Sequence, residues 1–146
     1  MNKLLILLGI VTFSSATVAN QSYEAGIGIP YGGALGFTIN SELSSNTEVY
    51  GGLGISPDTL GYVIGVKFWL NEKARLSTNY GTNCFVKTGS KYNDYDGLNF
   101  GIGYAFNGRE SGWAFDLILA DISSCNDGAS SNASDSSIKL AAGYRF

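Results

Sequence analysis

Apolar residues return at every second position through most of this 146-residue chain. Near the C-terminus Ile138, Leu140, Ala142, Tyr144 and Phe146 share one face, and Lys139, Ala141, Gly143 and Arg145 share the other. Leu60, Tyr62, Ile64, Val66, Phe68 and Leu70 repeat the pattern, as do Leu98, Phe100, Ile102, Tyr104 and Phe106. A helix would bring apolar residues back every three or four positions, so these segments read as β-strands. Weaker runs at Tyr23/Ala25/Ile27/Ile29, Leu35/Phe37/Ile39, Val49/Gly51/Leu53/Ile55, Leu76/Thr78/Tyr80 and Trp113/Phe115/Leu117/Leu119 bring the segments to eight. Each spans about 8–11 residues, the length of a tilted strand that crosses a bilayer.

The N-terminus reads differently. Met1, Asn2 and Lys3 make a short positive region, residues 4–13 are an apolar run, and residues 14–19 are mostly small. That order is a secretory signal peptide, with cleavage expected after Ala19. Ten apolar residues fall short of the ~20 that a membrane helix needs. Residues 1–19 are therefore set apart, and residues 20–146 form one barrel domain. No later apolar run is long enough for a spanning helix, so a membrane role would require a closed β-barrel.

The connections differ in length. Those near residues 41–46, 71–73 and 107–111 are short, and all fall at one end of an up-and-down barrel. At the other end lie a tight first connection near 30–33, a third near 56–59, and two long polar ones near 87–96 and 123–136. Outer-membrane barrels show this asymmetry. The expected fold is all-β: a single antiparallel up-and-down eight-stranded transmembrane β-barrel.

Two barrels satisfy the alternation. A soluble periplasmic or secreted carrier of an apolar ligand would turn its apolar face inward and coat its exterior with charge. A membrane barrel would do the reverse. The polar face holds mainly Gly, Ala, Ser and Asn, with Glu24, Glu48, Lys67, Arg75, Asp116, Lys139 and Arg145. Charged residues make up only 14% of the chain, against ~25% in soluble domains. Few charges of both signs among small residues suit a narrow lumen, so these seven are expected to form a lumen charge network. Tyr23, Tyr80, Phe106, Trp113, Tyr144 and Phe146 lie at strand ends, where interfacial girdles form. Trp69 is also at a strand end, but on the inward parity.

The ending Ala142-Gly143-Tyr144-Arg145-Phe146, with Ile138 and Leu140 before it, resembles the C-terminal strand of small bacterial outer-membrane barrels. These include the Ail/Lom adhesin family and the related OmpA-like barrel domains. The resemblance implies localisation in the outer membrane of a Gram-negative bacterium after export across the inner membrane. It implies that Ile138, Leu140, Ala142, Tyr144 and Phe146 form the signal read by the barrel-assembly machinery. It also implies contact with outer-membrane lipid and lipopolysaccharide. Separately, Lys91, Tyr92 and Tyr95 in the fifth connection are candidates for contact with an extracellular partner at the outer loops.

Chemistry is sparse. The chain has no His, which removes the usual general base and the commonest metal ligand. Lipid acyltransferases and deacylases of this size rely on His, so their constellation cannot be built here. Lys67 or Lys139 beside Asp116 reads as a lumen salt bridge, with no catalytic role expected. Gly26-Ile27-Gly28 and Gly101-Ile102-Gly103 lack the spacing of a nucleotide-binding turn and read as room inside a narrow barrel. No cofactor is expected, and two Cys without His make no metal site. Cys84 and Cys125, an even count in an exported chain, are expected to form a disulfide at the outer rim. Asp58, Asp94, Asp96, Asp121, Asp127 and Asp135 against Lys87 and Lys91 make the outer loops acidic and solvated. With 9 Lys+Arg against 12 Asp+Glu and no basic cluster, nucleic acid is not an expected partner. The function expected is structural, or surface interaction through the outer loops, without catalysis.

Overall fold

The computed structural model describes residues 20–56, 59–88, 91–121 and 136–146. Residues 1–19, expected to be a signal peptide, Cys125 and most of the connection 123–136 lie outside the described residues. Eight antiparallel strands close a barrel in sequence order. They are β1 (Gln21–Gly28), β2 (Gly33–Ser44), β3 (Thr47–Ile55), β4 (Leu60–Trp69), β5 (Ala74–Thr88), β6 (Lys91–Ala105), β7 (Gly112–Asp121) and β8 (Ser136–Arg145). β1 closes the cylinder by pairing with β8, from Glu24↔Arg145 to Ile27↔Ala142. Closure leaves no free sheet edge along the paired wall, which answers the liability that an open sheet of this length would carry.

The alternation sorts the two faces. Ile27 on β1, Phe37 on β2, Leu53 on β3, Ile64 on β4, Leu76 on β5, Phe100 on β6, Leu117 on β7 and Leu140 on β8 all face outward and are exposed. The residues between them face the interior, among them Glu24, Asn40, Glu48, Lys67, Arg75, Asn99 and Asp116, all buried. This is the reverse of a water-soluble domain, where burial selects apolar side chains.

Most of the exposed aromatics gather at the short-turn end, while Tyr80 and Phe100 lie farther along the wall. Tyr23 stacks on Phe37 at 5.8 Å, Phe37 on Phe146 at 6.5 Å, and Tyr144 meets Trp113 edge-on at 5.4 Å. Phe106 continues the belt against Tyr104 at 5.4 Å and Phe115 at 5.7 Å. Such offset and edge-on contacts suit the ring quadrupoles.

Two connections differ from the sequence expectation. Residues 87–96 were expected as a loop, but Thr82↔Asp96 through Thr88↔Lys91 are strand pairs. β5 and β6 thus form one long hairpin that runs past the strands on either side: β4 stops pairing with β5 at Gly81, and β7 stops pairing with β6 at Asn99. Polar composition hid this hairpin, because its strands lack an apolar face to mark them. The first connection is tight, as expected, but it turns inward. Ile29–Tyr31 form one 3-10 turn whose three residues are all buried. The strand glycines make room for it. A Cβ on Gly36 would run into the Tyr31 carbonyl, and one on Gly61 into the Gly32 carbonyl.

Candidate functional site

The short-turn half of the interior holds a connected set of charges. Register places its members. Glu24 is opposite Arg145 across the β1–β8 closure, and Glu48 is opposite Lys67 across β3–β4. On β6, Gly103 is opposite both Arg75 of β5 and Asp116 of β7. With no side chain at Gly103, Arg75 reaches across a whole strand to Asp116. A Cβ there would strike the Asp116 carboxylate and come within 2.9 Å of the Arg75 Nε.

Glu24 is the hub. Its carboxylate meets Lys67 Nζ at 2.9 Å, Arg75 Nη1 at 3.1 Å and Arg145 Nη2 at 2.7 Å. The Tyr31 hydroxyl donates to it at 3.2 Å, tying the inward turn to the network. Arg75 grips Asp116 with Nε at 3.1 Å and Nη2 at 2.8 Å. Arg145 grips Glu48 with Nη1 at 3.0 Å and Nη2 at 2.6 Å. These are paired-donor geometries, the strong form of the guanidinium–carboxylate bond. Lys67 also donates to Asn40 Oδ1 at 2.7 Å and lies 4.5 Å from the Tyr50 ring centre. Three carboxylates face three cations. Buried charges demand such balance, since a lone one costs several kcal/mol in desolvation.

Six of the seven expected lumen residues meet in this network: Glu24, Glu48, Lys67, Arg75, Asp116 and Arg145. Lys139 does not. It faces inward from β8 at the opposite end, half-buried, and donates to the Asn83 carbonyl at 2.8 Å. Along an extended strand the six steps from Lys139 to Arg145 span about 20 Å. The same face therefore does not mean the same level.

Three partners escaped the sequence reading. Trp69 is only 3% exposed, so it belongs to the interior and not to a girdle. Its ring has Arg75, Arg109 and Arg145 at 5.5, 5.3 and 5.3 Å. Its inward parity was the signal. Arg109, from the β6–β7 turn, folds over the barrel mouth. It donates to the Ser45 carbonyl and lies 3.4 Å from both Glu42 and Glu48, while its own carbonyl accepts from Arg145 Nη1 at 2.7 Å. A turn residue has no parity, so nothing in the sequence marked it. Tyr31 is 1% exposed. Its ring fills the space left by Gly26 and Gly143, where a Cβ would overlap it.

Apart from Lys139, the described residues of the opposite half of the interior are neutral. Asn99 donates to Asn79 Oδ1 at 2.9 Å, and Val63, Ile118 and Ala120 are buried around them. The interior is thus occupied at successive levels by side chains. Among the described residues no group of His, Cys, Asp and Glu could hold a metal ion. Cys84 lies within β5 just past a bulge, not at its end, and no free cysteine is found among the described residues. The expected assembly residues Ile138, Leu140, Tyr144 and Phe146 are exposed on the outer face, with Ala142 half-buried beside them. No family model matches this chain, and no curated protein or solved structure matches it.

Proposed function

We propose that the mature chain is an integral outer-membrane β-barrel with a structural or surface-interaction role and no catalysis. The observation that carries this reading is the apolar exterior, which runs round all eight strands while Glu24, Glu48, Lys67, Arg75, Asp116 and Arg145 are buried inside. Each large apolar side chain gains about 1.5–3 kcal/mol on leaving water. Soluble monomers rarely expose contiguous apolar patches beyond a few hundred Å², whereas lipid would cover this one. The aromatic belt at the short-turn end supports the same reading, since Tyr and Trp favour the membrane interface. The C-terminal resemblance to OmpA-like and Ail/Lom barrels agrees with it. On this reading the signal peptide directs export, the barrel-assembly machinery receives the last strand, and lipid and lipopolysaccharide surround the wall.

The interior argues against transport. Tyr31 fills one level, the six-charge network another, and Trp69 with Arg109 a third. The surface partner would meet the end that carries the β5–β6 hairpin, where a Cys84–Cys125 disulfide would tie the hairpin to the last connection. A soluble carrier needs an apolar cavity, and the described interior offers charges in its place.

Electrophoresis of folded protein in SDS, unboiled and boiled, tests the reading. A detergent-resistant barrel changes mobility on boiling. An unshifted band, together with recovery in the soluble periplasmic fraction, would overturn it.

A further inference from the structure

The cylinder closes unevenly. β7 and β8 pair from Gly112↔Arg145 to Asp121↔Ser136, whereas β1 and β8 pair only from Glu24↔Arg145 to Ile27↔Ala142. At Gly28 the backbone swings to φ 106°, a conformation natural to glycine, and the chain turns inward. Beyond that point β8 residues 136–141 pair with β7 alone among the described residues. The seam is therefore unlaced at the end opposite the short turns.

A cleft of about 340 Å³ lies there, lined by Gly28, Ile29, Ala34, Asn83, Lys139 and Leu140 among others. Its chemistry is divided. Leu140 is 79% exposed on the outer face, and Ala34 is exposed at the rim. Lys139, the next residue along β8, faces the other way. Its ammonium has three donors, one of which goes to the neutral Asn83 carbonyl. Among the described residues it has no carboxylate within 4.0 Å, whereas Lys67, Arg75, Arg109 and Arg145 all do.

We propose that this cleft binds a membrane lipid with an anionic, phosphate-bearing headgroup, the phosphate at Lys139 and the acyl chain leaving over Leu140. The inference rests on the membrane reading above. Charge complementarity selects the headgroup: a cation that has no acidic partner among the described residues, set beside an apolar lip, fits an anionic amphiphile. The position selects lipid, because the cleft breaks the wall at its apolar exterior.

The test uses the mature full chain in phosphatidylcholine vesicles that contain a small fraction of spin-labelled phosphatidylglycerol or spin-labelled phosphatidylcholine. Association with the barrel is read from the immobilised spectral component. One desolvated lysine at a membrane surface supports about a fivefold preference for the anionic lipid. Lys139→Met and the cleft-filling Ala34→Phe should bring the preference to parity, and Lys139→Arg should keep it. Boiling-sensitive mobility in SDS checks that each variant is folded. A chain that floats with the vesicles but shows no preference, or a preference that Lys139→Met leaves unchanged, overturns the proposal alone. So does full competition by inorganic phosphate, which would mark an ion site without lipid recognition. A chain that does not float overturns the membrane reading and the proposal together.

Discussion

Consider Glu24→Gln, which keeps the size of the hub and removes its charge. The wild-type network balances Glu24, Glu48 and Asp116 against Lys67, Arg75 and Arg145. Arg75 keeps Asp116 and Arg145 keeps Glu48, each through two bonds. Lys67 keeps only the neutral Asn40 oxygen at 2.7 Å and the face of the Tyr50 ring at 4.5 Å. The substitution therefore leaves Lys67, which is 2% exposed, as an unpaired buried cation. Breaking a buried pair in this way costs about 3–5 kcal/mol, a large part of the ~5–15 kcal/mol that holds a typical domain together. Adding Lys67→Met removes the stranded charge at similar volume. The interior then holds Arg75–Asp116 and Arg145–Glu48, balanced again. The double variant should be more stable than Glu24→Gln alone by about 2 kcal/mol, because the stranded charge is gone, and the two substitutions should be strongly non-additive, as for contacting residues. Equilibrium urea unfolding of the refolded barrel, followed by tryptophan fluorescence, measures all three variants. If the two single costs simply add, the network is not a closed charge balance and the reasoning fails.

Other consequences follow from single residues. Gly103→Ala places a methyl between Arg75 and Asp116 and should cost about 1–3 kcal/mol in the same assay, as overpacking does; a neutral result would mean that the bridge is not fixed by the missing side chain. The two tryptophans face opposite ways, so brominated lipid should quench the emission of Trp69→Phe, which retains Trp113, and spare that of Trp113→Phe, which retains Trp69. Equal quenching would place both rings at the lipid. If Cys84 and Cys125 are bridged, thiol-reactive maleimide should label the denatured chain only after reduction. Reduction should then lower stability by about 4 kcal/mol in the chain-entropy model for a loop of some forty residues, and labelling before reduction would refute the bridge. Tyr31→Phe removes one of the bonds that anchor the inward turn, with an expected cost of about 1.5–3 kcal/mol for a hydrogen bond to a charged group. An unchanged unfolding midpoint would show that the hydroxyl contributes nothing.

Period two was enough to establish the strands and which side chains share a face. A pleated strand sends neighbours to opposite sides whatever surrounds it. So the outward run from Ile138 to Phe146 and the inward parity of Glu24, Lys67 and Arg145 were legible in the residues alone. The glycines at 26, 101 and 103 could likewise be read as room inside a narrow barrel. Parity is silent about height and about anything off a strand. Lys139 and Arg145 share a face but sit at different levels, because height is set by register and bulges along the whole sheet. The β5–β6 hairpin continues through polar residues because its backbone pairs satisfy themselves, with no apolar face to advertise them. Tyr31 and Arg109 come from turns, and only the closed cylinder brings a turn residue over the mouth or into the lumen. The alternation thus decided which side chains share a face, and the sparse charge pointed to the face that turns inward. Closure decided which inward groups meet, since a charge can be balanced only by a neighbour that the fold carries within reach.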